Sequence, residues 1–403
     1  MTARDRVLAA LRHREPDRVP IDFDGMRSTG IMAVAYNRLR AHLGIHAGLP
    51  GMYDLGQQLV HPEPEVLARF GVDVRPLNRL PAGLDPEEQV WKPWVLPDGS
   101  QALVPAGFNP DRDDAGNMYM LDSTGRRVAK MPAGGLYFDT IHHPLAEAAT
   151  VSEIEAYPFP DIGDAELAWL RREARRLRES SDAAVMGEFG GNILEACQSL
   201  RGWARAMTDL VREPRLAQAL MQKLADHAIA NLDRYLAAVG DAIDIIQMGD
   251  DLGTQQGPQL SPALYRKMVR PHHERIYQHV KKRSGLFVFL HSCGGIAPLI
   301  PDLITAGVDA LNPVQISAAG MEAAALKREF GRDLTFWGGG CDTQTVLPQA
   351  SPAEVREHVR RQIEALAPGG GFVFAQVHNV QAGTPPANVM AMFEAALKYG
   401  RYG

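Results

Sequence analysis

The chain has 403 residues, 45% hydrophobic and 22% charged, enough apolar content for a large core and too much for a disordered chain. Its formal charge is −6 and its longest basic run is Lys281, Lys282 and Arg283, which weighs against nucleic-acid or anionic-membrane partners, since both need a clustered positive field. Three cysteines, Cys197, Cys293 and Cys341, are too few for a disulfide framework and suit a reducing compartment.

The opening stretch MTARDRVLAALRHREPDRVP is charged throughout and lacks the apolar block of a signal peptide. No window approaches the roughly 18 apolar residues of a membrane span, so a cytoplasmic location is expected. "RVPIDF" (18 to 23) reads as a first strand. Between 90 and 140, "WVLPDGSQALV" and "NMYMLDSTGRRVAKM" each place a turn signal between strand-like runs and predict inserted antiparallel hairpins.

From residue 183 a short apolar run, a loop and an amphipathic helix recur. "AAVMGEF", "AIDIIQMGDD", "LFVFLHSCG", "DALNPVQ", "DLTFWGGGCD" and "GFVFAQVHN" read as strands buried on both faces, as in a parallel sheet. The helices between them carry clear start signals, such as Ser261-Pro262 and the capping-box spacing of Ser351 and Glu354. Such alternation builds either a closed barrel or an open doubly wound sheet. No GxGxxG follows the first strand, and polar residues gather at strand ends. The expectation is therefore an α/β fold, a (β/α)8 TIM-type barrel with N-terminal helices, forming one domain over 1–403 with roughly 90–140 as a β-hairpin insertion.

Strand side chains alternate, so His291 and Cys293 share a face and point together into the barrel mouth. Cys341 closes another expected strand whose C-terminal end shares that rim. His, Cys and Cys suit zinc, and three protein ligands leave a position for substrate. Glu188, Asp250 and His378, also at strand ends, are candidates for the fourth position or for acid-base work. Cys197 sits in a helical pattern and reads as core. Phe287, Phe289, Phe336 and Trp337 read as barrel filling.

Over nearly its whole length the chain resembles the uroporphyrinogen decarboxylase superfamily, through "RVLAALRHREPDRVPIDF", "GEFGGNILEACQSLRGW" and "HNVQAGTPPANVMAMFEAA". The H-x-C pair at His291 and Cys293 resembles the branch of zinc-dependent, corrinoid-linked methyltransferases. Members that methylate a thiol coenzyme carry a third cysteine ligand on the last strand-end loop. This chain departs there, with His378 in "FAQVHNV" and Cys341 one strand earlier in "GGGCDTQ". That pattern is more similar to enzymes acting on methoxylated or methylated small molecules.

The resemblance implies Zn2+ as cofactor, a corrinoid (cobalamin) carried by a partner protein, a small-molecule methyl donor, demethylation as the favoured direction, and a homodimer. Zinc would act as a Lewis acid on the oxygen losing its methyl group. Arg27, the only basic residue of "DFDGMRSTGIM", stands where the decarboxylases carry an arginine-rich stretch. Asp54 matches their catalytic aspartate, and Tyr53 beside it is a third candidate for the pocket wall. Two other readings stand beside this one: a metal-independent decarboxylase of a small acid, and a non-catalytic module binding a corrinoid protein or tetrapyrrole.

Overall fold

The computed structural model describes residues 1–81 and 83–403. Seven parallel strands form one curled sheet in chain order: β1 (Val74–Leu77), β2 (Ala184–Gly190), β3 (Ile245–Gly249), β4 (Phe287–His291), β5 (Ala310–Asn312), β6 (Thr335–Trp337) and β7 (Phe372–Val373). Helices connect successive strands on the outside, including Pro214–Val239 and Pro352–Leu366.

The segment expected as the first strand closes the ring. Asp22 N donates to Phe374 O, Phe374 N to Pro20 O, and Asp73 N to Ile21 O, so residues 20–22 lie between the two edges of the sheet. These few bonds join the edges without giving the segment a full ladder of its own.

Alternation along the strands sorts the apolar residues into two cores. Ala184, Met186, Ile245, Phe289, Ala310, Trp337 and Val373 fill the barrel, while Val185, Ile246, Val288, Leu290, Phe336 and Phe372 face the helices. Phe289 and Trp337 pack edge to face at 5.3 Å between ring centroids and fill the barrel as expected, with Phe287 packed against them, whereas Phe336, also expected inside, alternates to the helix-facing side. Val7, Ala10 and Leu11, from the helix Ala3–Leu11, join the inner core. That helix lies under the N-terminal strand ends, where Arg4 Nε binds Asp244 at 2.8 Å just before β3.

Residues 91–140 carry the expected antiparallel pairing. Trp91–Val95 pairs with Gln101–Pro105, and Met118–Leu121 with Arg127–Met131. Among the described residues no helix is long and apolar enough to cross a membrane.

Candidate metal centre

Phe289, His291 and Cys293 lie two residues apart, so the face that fills the barrel with Phe289 presents His291 and then Cys293 at the mouth. Strands β3 and β4 are in register with Gly249 opposite His291. Two residues further on, the same offset brings Asp251 to Cys293, whose backbone N–H donates to Asp251 Oδ1 at 2.7 Å. The result is a triangle of ligand atoms. His291 Nε2 stands 3.5 Å from Cys293 Sγ and 3.6 Å from Asp251 Oδ1, and the three residues offer ligand atoms all within 4.8 Å of one another.

The imidazole is held in one tautomer. Asn312 Nδ2 donates to Trp337 O at 2.9 Å, which fixes the amide so that its Oδ1 faces His291. His291 Nδ1 lies 2.7 Å from that oxygen, which also accepts from Ser28 Oγ at 2.7 Å. Nδ1 therefore carries the proton, and the Nε2 lone pair faces the sulfur and the carboxylate.

This donor set fits zinc. Bond lengths of about 2.0 Å to nitrogen and 2.3 Å to sulfur in tetrahedral geometry separate the two ligand atoms by about 3.5 Å. The spacing matches, and an outer amide orienting the histidine is the usual support for such a ligand. Burial, then the Asp251 and Glu195 carboxylates, push the Cys293 thiol well above its ordinary range. A bound cation reverses that penalty and favours the thiolate. Replacing Asn312 with leucine is expected to weaken zinc binding by about 10–100-fold, read by chelator competition, because the imidazole loses the acceptor that fixes it.

Cys341 is not brought to this group. Its fully buried side chain belongs to the core outside the barrel, its thiol points to Asp342 O at 3.8 Å, and burial pushes it upward in pKa. The expected strand ends at Trp337, and Gly338 and Gly339 take φ of +111° and +71° as the chain wedges against Pro313 and Val314. Strand alternation is lost in that loop, so the projection to Cys341 fails.

Asp250 is also corrected. It points away from the mouth, accepting Leu194 N and Glu195 N at 2.8 Å each, at the start of the helix Leu194–Arg201, and binding His273 Nε2 at 2.8 Å. These bonds satisfy orphan N–H groups at the helix start and make Asp250 structural. Tyr53 is buried with its ring stacked on His61 at 4.0 Å, away from the cavity lining.

Of the remaining candidates, Arg27, Glu188 and His378 line one cavity of about 210 Å³ together with Glu195, Asp251 and His291, while Asp54 lies behind Arg27 and outside the lining. Arg27 bridges two carboxylates, with Nε 2.8 Å from Asp54 Oδ2 and Nη2 2.7 Å from Glu188 Oε1. His378 is lowered to about 4 by burial and by nearby His291, so it is neutral at pH 7.

Asp251 and Glu195 carry no signal in the sequence beyond being acids near strand or helix ends. Glu195 Oε2 accepts from Asn192 Nδ2 at 2.6 Å. Burial, with Asp251 and Asp250 nearby, raises its carboxyl to about 7. Finding either residue needs the order of the strands around the barrel.

A uroporphyrinogen decarboxylase family model matches residues 134–399. Uroporphyrinogen decarboxylase from Alkalilimnicola ehrlichii is 26% identical, with 97% of this chain and 93% of that protein aligned. The Xylella fastidiosa enzyme of the same name is 23% identical over the full length of both. A methyltransferase from Methanosarcina mazei shares the fold, with a TM-score of 0.62, 16% identity and 99% of each chain covered.

Proposed function

The chain belongs to the uroporphyrinogen decarboxylase family, and on that premise we propose that it is a zinc-dependent methyltransferase moving a methyl group from a small methoxylated or methylated substrate to a corrinoid protein. The observation that carries this reading is the His291, Cys293 and Asp251 triangle with its tautomer-fixing Asn312. When bound, zinc supplies Lewis acidity that lowers the basicity of a departing alkoxide or phenoxide.

The chain's own residues do the rest. His291, Cys293 and Asp251 would hold the metal at one wall of the cavity, and Asn312 orients the imidazole so that its Nε2 lone pair faces the other two ligand atoms. The Glu195 carboxyl, raised by burial and by the neighbouring Asp251 and Asp250 and oriented by Asn192, would deliver a proton to the oxygen left when the methyl group departs. His378, lowered by burial and neutral at pH 7, lines the same cavity and offers a hydrogen bond to the substrate. The open mouth is the side from which a partner's corrinoid would have to reach the substrate.

A decarboxylase acting on a small acid is the second reading, favoured by the full-length likeness to uroporphyrinogen decarboxylases. The tetrapyrrole itself is a poor match. The cavity is smaller than the roughly 300–1,000 Å³ typical of drug-sized ligands, and Arg27, the one arginine among the described residues lining it, is already held by two carboxylates.

Methyl transfer from 2-methoxyphenol to cob(I)alamin, followed by absorbance, separates the two. Activity lost on chelation and restored by zinc supports the methyltransferase. Decarboxylation of a small acid that is indifferent to chelation and abolished by Asp54→Asn supports the other reading.

A further inference from the structure

We propose that this cavity selects substrates without a net negative charge, and that the carboxylates around Arg27 enforce the choice. The inference rests on the cavity being the substrate site and takes its substrate class further; it does not depend on the reaction.

Arg27 is the one guanidinium or ammonium group among the described residues lining the cavity. Asp54 and Glu188 both bind it, so the cluster of three carries a surplus negative charge. Neither carboxylate is free to swing away. Asp54 Oδ1 accepts Gln57 N at 2.7 Å, and Glu188 Oε2 accepts Arg79 N at 2.9 Å. Arg79, which lines the neighbouring pocket beside Asn192 and Glu195, is paired with Glu166. Where the reacting oxygen takes the open position of a bound divalent cation, a second, anionic group on the substrate would meet only the wall, because the Cys293 thiolate and Asp251 already balance the cation's two charges. Glu195 adds a further acid to the same wall.

A carboxylate, sulfonate or phosphate on the substrate would therefore lose its hydration without gaining an uncommitted cation, and a desolvated anion lacking a partner is costly. A neutral oxygen meets a better match. Asn78 Nδ2 is buried without a hydrogen-bond partner and lines the cavity, so it offers a donor to a hydroxyl or ether oxygen. The class that fits is a small neutral phenol, alcohol or ether.

The test compares 2-methoxyphenol with 4-hydroxy-3-methoxybenzoate, which share the ring and methoxy group and differ by a carboxylate. Binding to the zinc-loaded full chain is measured by calorimetry at pH 7 without any corrinoid, so a failure of the methyl-transfer reading does not enter. The neutral phenol is expected to bind at least about tenfold tighter, a difference of about 1.4 kcal/mol. In the Asp54→Asn/Glu188→Gln double variant, which frees Arg27, the benzoate is expected to gain and the ratio to close or invert. Equal or tighter benzoate binding to the wild type overturns the proposal, as does failure of the phenol to bind. The wild-type comparison decides the matter even if the double variant does not fold.

Discussion

Replacing His291 with alanine is expected to reduce zinc from about one per chain to less than about a tenth, read by elemental analysis of proteins purified side by side. The substitution removes the nitrogen of the ligand triangle and leaves Cys293 and Asp251, too few donors to compete with water and buffer for the ion. The fold should survive, because Asn312 Oδ1 keeps its bond from Ser28 and Asn312 Nδ2 keeps Trp337 O. Methyl transfer is expected to fall by at least about a thousandfold, since Lewis-acid stabilisation is worth several kcal/mol and each 1.36 kcal/mol is about a factor of ten. Cys341→Ser is the control. Its thiol lies outside the group, so metal content should stay at the wild-type level. Loss of zinc in Cys341→Ser with retention in His291→Ala would mean that the metal sits elsewhere.

Much of this site was open to sequence reasoning, and what was not depended on contacts or turns that no single strand's pattern encodes. His291 and Cys293 were legible because both lie on one strand, where period-two alternation alone puts them on one face. The six apolar runs after residue 183 were legible for the same kind of reason, since burial on both faces leaves little room for polar residues. Asp251 was not legible, because its place beside Cys293 follows from β3 and β4 being neighbours in a fixed register.

The strand β1 was hidden by Arg75 and Pro76, which interrupt its apolar pattern. Cys341 misled for the opposite reason. Alternation was carried past the end of β6 into a glycine loop whose positive φ values erase it. Asp250 and Asp251 show the limit most plainly, since adjacent acids at one strand end take opposite roles, one capping a helix and one facing the mouth.

The closure of the barrel sets the second large effect. Asp73 precedes β1, and its backbone joins both neighbours: its N–H donates to Ile21 O at 2.8 Å and its carbonyl accepts from Ala184 N at 2.9 Å. Its side chain, 1% exposed, accepts Arg6 Nη1 at 2.6 Å, Arg18 Nη1 at 2.7 Å and Ile21 N at 2.8 Å. One carboxylate thus ties the N-terminal helix, the closing segment and the sheet together.

Asp73→Ala leaves the Arg18 guanidinium without its carboxylate and the Ile21 N–H without an acceptor, while Arg6 keeps Asp17 and the Met1 carbonyl. Removing one partner of a buried ion pair costs about 3–5 kcal/mol, so the urea midpoint should fall steeply. Asp73→Asn keeps one acceptor oxygen and should lose less. Residues 20–22 lead directly to Gly25, Met26 and Arg27 on the cavity wall, so a folded Asp73→Asn protein is also expected to bind 2-methoxyphenol more weakly, with less effect on zinc content because the candidate ligands follow β3 and β4. Equal stability of Asp73→Ala and wild type would show that the barrel closes without this carboxylate.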